Sequence, residues 1–179
     1  MNDIDLKGKK VLMVIAPEQF RDEELFDPKS VLEGYGAAVT VACKRHGSAV
    51  GMLGKSYTPE KLLGEVSGRE YDSVLVVGGM GSPEHLWQDE ALHKILQDAA
   101  RANRIVGGIC LSGAVLAKAG VLEGKDATVY KTTESVAELR RGGARLVDKD
   151  VVVSGKTVTA NGPAAAKEFG EEVAKLLHG

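Results

Sequence analysis

Runs of consecutive apolar residues constrain the fold of this chain more than any other feature of its sequence. Four of them lie within residues 10–16, 38–43, 73–79 and 105–109, and they are mainly apolar at successive rather than alternate positions. Such continuous runs are typical of strands that are buried on both faces of a parallel sheet. Helix-forming segments separate the runs, and this alternation favours a doubly wound architecture. We therefore predict a doubly wound α/β sandwich, with a mostly parallel central sheet and helices on both faces.

The length and charge of the chain exclude several classes of protein. Its 179 residues suit one domain with a sizeable core, so residues 1–179 are treated as a single domain. The formal net charge is −2 and both signs are mixed along the chain, which argues against nucleic-acid binding. The apolar runs are too short to cross a bilayer, and the polar start has no signal-peptide pattern. Two distant cysteines, Cys43 and Cys110, do not make a disulfide framework, so a reducing cytoplasm is expected.

Local signals predict where several elements begin. Asp22 is a suitable N-cap for a helix over residues 22–33, and Asp89 is one for the helix that follows it. Pro163 is placed to open the last helix. The remaining predicted elements are a short hairpin around residues 50–53, a strand at 127–130, a helix at 135–141 and a β pair formed by 145–154 and 157–160.

Cys110 occupies the most informative junction in the chain. This cysteine directly follows the apolar run 105–109, and the helix-forming residues 114–118 come shortly after it. A nucleophile at a sharp strand-to-helix turn forms a nucleophile elbow, where the N–H groups of the following helix favour thiolate over thiol. The alternative is an ordinary buried cysteine at a strand end. Gly78 and Gly79 end another buried strand, so we expect them on the same edge of the sheet as Cys110.

Five sequence elements, taken in order, resemble the ThiJ/PfpI superfamily over nearly the whole chain. They are Glu24 within residues 22–28, the Gly78–Gly79 pair after residues 71–77, the Ile109–Cys110 elbow, residues 119–122, and residues 161–163 before the last helix. The family includes the Parkinson-linked deglycase, PfpI-type stress proteins and cofactor-free glyoxalases. Its fold is flavodoxin-like and similar to that of the class I glutamine amidotransferases. The resemblance therefore implies a cysteine-dependent function on the fold predicted above.

The resemblance also implies roles for individual residues. Glu24 matches the family's acidic residue, which hydrogen-bonds the cysteine sulfur and, when protonated, would lower the pKa of Cys110. The alternative is that Glu24 is a solvated first-turn acid, as Glu23 is expected to be. The backbone N–H groups of Gly79 and Leu111 would form an oxyanion hole. Leu111 stands where PfpI-type members have a histidine, which excludes a Cys-His dyad of that form.

Five further residues are candidates for the pocket or for the core. Ser112 either caps the helix after the elbow or binds substrate, and capping is the favoured interpretation. His85 and its neighbour Glu84 follow the glycine pair and could reach the same edge of the sheet. Tyr130 stands where some relatives place a histidine, so it lines the pocket or packs in the core. Cys43, inside a buried strand, is interpreted as a packing residue.

The expected chemistry is addition of the Cys110 thiolate to a small α-oxoaldehyde such as methylglyoxal, with proton transfer by Glu24 and hydrolysis to a hydroxy acid. This glyoxalase III or deglycase reaction needs no metal and no organic cofactor. One alternative is a stress-response redox sensor or holdase chaperone that uses the same oxidisable cysteine. Leu111 disfavours a second alternative, a PfpI-type peptidase. The resemblance further implies a homodimer or larger homo-oligomer, and neither nucleic acid nor a membrane is an expected partner.

Overall fold

The structure, a computed structural model, describes residues 3–179 and is organised around a seven-stranded sheet. The strands are β1 (Lys10–Val14), β2 (Glu18–Phe20), β3 (Ala38–Cys43), β4 (Ala49–Gly51), β5 (Ser56–Tyr57), β6 (Lys61–Leu62), β7 (Ser73–Val76), β8 (Ile105–Ile109), β9 (Asp126–Ala127), β10 (Arg145–Leu146), β11 (Val151–Ser154) and β12 (Thr157–Ala160). The helices are α1 (Asp22–Gly34), α2 (Gly81–His85), α3 (Glu90–Arg101), α4 (Gly113–Lys118), α5 (Thr133–Arg141) and α6 (Ala166–His178).

The topology of the large sheet confirms the predicted doubly wound α/β fold. Its strand order is β11-β12-β8-β7-β1-β3-β6, and every neighbouring pair is parallel except β11 with β12. All residues of β7 and β8 are buried, which explains why their sequences are apolar at every position except Ser73. Val76 of β7 pairs with Gly108 of β8, so the chain segments that follow these two strands leave the sheet side by side.

Helices cover both faces of the sheet, and two adjacent glycines of β8 demonstrate this arrangement. A Cβ at Gly107 would lie 3.0 Å from Cζ of Phe169 in α6, whereas a Cβ at Gly108 would lie 2.9 Å from Cδ1 of Leu116 in α4. Successive residues of a strand point to opposite faces, so α6 and α4 lie on opposite sides. Nearly all buried apolar side chains of the described residues belong to a single core cluster. Within residues 3–179, no helix combines the length and apolar character that a membrane span requires.

Some element boundaries differ from those that local patterns predict. Asp22 is the first residue of α1 and not its N-cap, a position that Arg21 occupies. The predicted strand at 127–130 is limited to β9, and β10 pairs with β9 in parallel instead of extending β11. Asp89 does cap α3, since its carboxylate accepts the Leu92 N–H at 2.9 Å. The predicted hairpin is formed by β4 and β5, and β11 pairs with β12 in the predicted antiparallel manner.

Candidate active site

Cys110 lies at a strained turn between β8 and α4. Its φ is 62°, in the left-handed region, which costs a non-glycine residue roughly 1–3 kcal/mol and persists only where neighbours hold it. Two hydrogen bonds do so: the N–H of Tyr130 donates to the Cys110 carbonyl at 3.1 Å, and the indole N–H of Trp87 donates to the Leu111 carbonyl at 3.0 Å. The Cys110 side chain is only 6% exposed. The backbone therefore has the elbow geometry that the sequence predicts.

Glu24 is the ionisable neighbour of Cys110. It lies in the first turn of α1 and is completely buried. Its Oε1 accepts the N–H of Gly78 at 3.1 Å, and its carboxyl lies beside the Cys110 thiol, close enough for the two groups to influence each other's ionisation. Within the described part of the chain, Oε2 is buried and makes no hydrogen bond. Glu23 is partly exposed and forms an ion pair with Arg21 at 2.8 Å, as a solvated neighbour would. The structure thus brings Glu24, rather than Glu23, to the sulfur.

The glycine pair is explained by close approach of backbone and side chains. A Cβ at Gly78 would lie 2.7 Å from both Cys110 Cβ and Glu24 Oε1, so any larger residue would separate the thiol from the carboxyl. Gly79 adopts a φ of 108°, and a Cβ there would overlap the backbone of residues 19–21. The N–H groups of Gly79 and Leu111 lie near the sulfur and favour its thiolate form.

Burial raises the pKa of both acidic groups in this pair. Loss of solvent raises the pKa of Glu24 from 4.5 to about 8, against hydrogen bonds from Cys110 and Gly78 that lower it. Loss of solvent, and then the charge of an ionised Glu24, raise the pKa of Cys110 to about 12. The N–H groups of Gly79 and Leu111 act in the opposite direction but do not outweigh burial. The sequence-based expectation of a thiol pKa below that of free cysteine is therefore wrong.

The two groups titrate as a pair. Because the pKa of Glu24 is about 8, its carboxyl is mainly protonated at neutral pH, as the resemblance implies. An ionised Glu24 opposes the thiolate, so the pair releases one proton near pH 8 and the second only at strongly alkaline pH. The singly ionised pair has two tautomers: thiol with carboxylate, and thiolate with carboxylic acid. The second tautomer contains a nucleophile beside a proton donor.

Cys110 borders a small cavity of about 150 Å³. The other lining residues are Arg21, Met52, Gly79, Met80, Leu111, Tyr130 and Pro163. Water occupies about 30 Å³ per molecule in the liquid, so this space holds about five water-sized groups. Arg21 supplies the one cationic side chain of this lining, and two hydrogen bonds at 2.8 and 3.1 Å engage its guanidinium with Glu23. The cavity therefore suits a small, largely uncharged molecule. Tyr130 lies in this lining and is half-exposed.

Asp22 shapes the rim of the cavity, a role that its position in the sequence does not suggest. It is 2% exposed, and its two carboxylate oxygens accept the N–H groups of Leu53 at 2.8 Å and Lys55 at 3.0 Å. These bonds hold the turn between β4 and β5, which carries Met52 over the cavity. The sequence offers one sign of this role, an acidic residue at the start of a helix, and such a residue is equally typical of a helix cap. Nothing in the sequence marks Arg21 as a residue of the cavity, because an arginine before a helix is common in surface positions.

Ser112 joins the elbow to two other elements. Its hydroxyl donates to the Val77 carbonyl at 2.7 Å and, having one proton, accepts from the Ser82 hydroxyl at 2.7 Å. It makes no capping hydrogen bond to α4, so the favoured capping interpretation is wrong. Full burial also keeps Ser112 out of the cavity lining. Cys43 is a free thiol, 1% exposed in β3, and burial raises its pKa, which fits a packing residue.

His85 and Glu84 lie away from the cavity at Cys110. Both belong to α2, and they line a separate cavity together with Lys44 and Gln88. The ring of His85 is buried and its Nε2 is 3.1 Å from Oε1 of Glu18. The short helix α2 directs these side chains towards β2, so their predicted place in the Cys110 pocket is wrong.

The fold and the site together define a flavodoxin-like protein with a cysteine at a strand-to-helix elbow. The sequence profile of the DJ-1/PfpI family matches residues 9–176, so the chain belongs to the DJ-1/PfpI family. The chain is 46% identical over 173 residues to an uncharacterised protein of Methanocaldococcus jannaschii, with 97% of this chain and 84% of that protein covered. It is 31% identical over 168 residues to a Pyrococcus horikoshii protein named a deglycase, with 94% and 99% covered.

A solved structure agrees with this assignment. The crystal structure of a ThiJ/PfpI domain protein from Brachyspira murdochii matches with a TM-score of 0.90 and 33% identity, over 96% of this chain and 97% of that one. More distant relatives are named deglycases and, in Caenorhabditis elegans, a glutathione-independent glyoxalase. Enzymatic activity therefore occurs in the family.

Proposed function

We propose that this protein is a cysteine-dependent, cofactor-free enzyme of the glyoxalase or deglycase type that acts on small α-oxoaldehydes such as methylglyoxal. The observation that carries the proposal is the buried pair of Cys110 and Glu24, which meet at Gly78, beside a cavity of about 150 Å³. Methylglyoxal has five heavy atoms, which matches the capacity of that cavity. The relatives named deglycases and glyoxalase support the same class of reaction.

The reaction begins from the singly ionised pair. The sulfur of Cys110 adds to the aldehyde carbon, and the aldehyde oxygen becomes the hydroxyl of a hemithioacetal. The Glu24 carboxylate then removes the hydrogen from that carbon and returns a proton to the neighbouring carbon. The hydroxyl proton moves to the neighbouring ketone oxygen, and the hemithioacetal thereby becomes a thioester of a hydroxy acid. Water hydrolyses the thioester and releases lactate and the thiol. Methylglyoxal and water thus give lactate, with no external oxidant or reductant.

Two backbone donors would stabilise the charge that develops on oxygen. The N–H groups of Gly79 and Leu111 lie near the sulfur in the resting protein. A substrate oxygen bound next to the sulfur is within reach of the same donors, and removal of one such donor typically costs about 10²–10³ in kcat. This role as an oxyanion hole completes the set of groups that the reaction needs.

Leu111 separates this activity from peptide hydrolysis. Expulsion of an amine is assisted in PfpI-type members by the histidine that follows the cysteine, and Leu111 at that position cannot donate a proton. General acid–base assistance typically contributes about 10²–10⁴-fold, so the loss of a dyad histidine weakens acyl transfer by an amount in that range. We expect casein hydrolysis to stay at the level of a mock preparation, and Cys110-dependent proteolysis would contradict this part of the proposal.

The test is turnover of methylglyoxal in the absence of glutathione. We expect lactate formation by the unmodified protein, none by Cys110→Ala, and normal turnover by the matched control Cys43→Ala. Glu24→Gln should lower kcat far more than it raises KM, because an amide does not move the proton. Turnover that survives Cys110→Ala would overturn the assignment of the nucleophile. Absence of turnover, with conversion of Cys110 to a sulfinate by mild peroxide, would instead favour a redox sensor or holdase.

A further inference from the structure

We propose that Glu18, Glu84 and His85 form a binding site for one divalent transition-metal cation such as Zn²⁺, separate from the cavity at Cys110. Nε2 of His85 lies 3.1 Å from Oε1 of Glu18 and 2.8 Å from Oε2 of Glu84. The three potential ligand atoms all lie within 4.8 Å of one another. One imidazole nitrogen and two carboxylate oxygens are ligands that Zn²⁺ accepts, with a fourth position left for water.

A cation accounts for this convergence better than a hydrogen bond does. Nε2 of His85 carries at most one proton, yet carboxylate oxygens of two residues lie within 3.1 Å of it. The contact with Glu18 has hydrogen-bond geometry, whereas the contact with Glu84 is one of distance alone. Metal–ligand bonds of about 2.0–2.1 Å, at angles between octahedral and tetrahedral, separate ligand atoms by about 2.9–3.4 Å. The two spacings measured from Nε2, 3.1 and 2.8 Å, lie in or next to that range.

Two packed elements hold the ligands in register. His85 ends α2 and is 6% exposed, and its carbonyl accepts from Nζ of Lys44 at 3.4 Å. Glu18 begins β2, and its own backbone packs so tightly on the start of α2 that a Cβ at Gly81 would overlap the Glu18 carbonyl. The carboxylates of Glu18 and Glu84 are exposed, which gives an ion a path from solvent. The site is therefore partly preformed and accessible.

The surrounding charge favours a cation. The cavity next to His85 and Glu84 has a volume of about 490 Å³, and its other lining residues are Lys44, Gln88, Asp89, Glu90 and His93. Counting Glu18, the region carries four carboxylates, and Lys44 is the single lysine among the lining residues. The cavity has room for the water that would complete the coordination of the metal.

The metal would be structural rather than catalytic. It would clamp β2 to α2. Gly79, shortly before α2, packs directly on β2, since a Cβ there would overlap the backbone of residues 19–21. The proposal is independent of the function proposed for Cys110, and the expectation that the aldehyde reaction needs no metal is unchanged.

The test is calorimetric titration of the purified protein with Zn²⁺. We expect one Zn²⁺ per chain, with at least about tenfold weaker binding in Glu84→Gln and His85→Ala, since even groups that only orient a ligand contribute about 10–100-fold. Glu84 is 73% exposed, so its substitution tests the site without disturbing the fold. His178→Ala, at an exposed position in the last helix, is the matched control and should bind normally.

A second measurement separates this site from the thiol. Bound Co²⁺ should show d–d absorption without a thiolate-to-metal charge-transfer band, and Cys110→Ser should leave the affinity for Zn²⁺ unchanged. Zn²⁺ should also raise the Tm of the unmodified protein but not that of Glu84→Gln. The proposal is overturned if no stoichiometric binding occurs, if Glu84→Gln and His85→Ala bind as tightly as the unmodified protein, or if Cys110→Ser abolishes binding.

Discussion

Replacement of Glu24 by glutamine should change how the stability of the protein depends on pH. Glutamine keeps the shape of the side chain and an oxygen for the Gly78 N–H, but it does not ionise. In the native protein, burial raises the pKa of Glu24 from 4.5 to about 8. A group whose pKa is raised on folding contributes stability that is fully present below its unfolded pKa. That contribution is lost as the pH rises through the folded value.

The expected size follows from these two pKa values. Each pH unit between them corresponds to about 1.36 kcal/mol, and integration from pH 5 to pH 8 gives a loss of about 3–4 kcal/mol of unfolding free energy. Glu24→Gln removes this loss. The unfolding free energy of the variant, relative to the unmodified protein, should therefore rise by about that amount across the same interval.

Urea unfolding at a series of pH values measures the effect, with the fluorescence of Trp87, the single tryptophan, as the signal. Glu23→Gln is the matched control, because its ion pair with Arg21 lowers the pKa of Glu23, so its contribution changes only at acidic pH. From pH 5 to pH 8 that control should parallel the unmodified protein. If Glu24→Gln also runs parallel to it, the buried carboxyl is ionised throughout, and the argument from burial is refuted.

Three further predictions test other parts of the site. Iodoacetamide labelling of Cys110, followed by mass spectrometry, should increase as the pH rises through about 8, whereas Cys43 should stay unlabelled; a constant rate from pH 6 to 9 would contradict the paired titration. Gly78→Ala should abolish methylglyoxal turnover and lower the unfolding free energy by about 1–3 kcal/mol through overpacking, and Gly64→Ala, where a Cβ meets open space, should do neither. Asp22→Ala should cost at least roughly 2 kcal/mol in urea unfolding, since two backbone donors lose a charged acceptor; a smaller loss would show that the β4–β5 turn is held by other contacts.

Much of the fold and the centre of the site could be predicted because their signals are local. A continuous apolar run identifies β8 as a buried parallel strand, whatever lies beside it. The change from that run to small and helix-forming residues predicts the turn at Cys110, since backbone preferences act over a few residues. The resemblance adds Glu24, and the structure brings Glu24 to the thiol. The sequence predicts these features because each depends on neighbouring residues or on a motif with fixed spacing.

Other features depended on partners that are distant in the sequence. Asp22 looks like a helix cap, but it accepts hydrogen bonds from residues more than thirty positions later. Ser112 likewise bonds to Val77 and Ser82, and His85 turns towards Glu18. No local pattern specifies such contacts, because they arise only when separate elements pack together.

The protonation of the site shows the same division between sequence and tertiary structure. The sequence by itself determined which groups meet at the elbow: a cysteine at the end of a strand, a glutamate in the first turn of a helix and a glycine pair small enough to let them touch. The direction of their pKa shifts was decided only by tertiary structure. The N–H donors favour a thiolate, as the elbow suggests, but the packed core removes water from both Cys110 and Glu24. Desolvation depends on every surrounding element at once, so the balance between it and the local hydrogen bonds exists only in the folded protein.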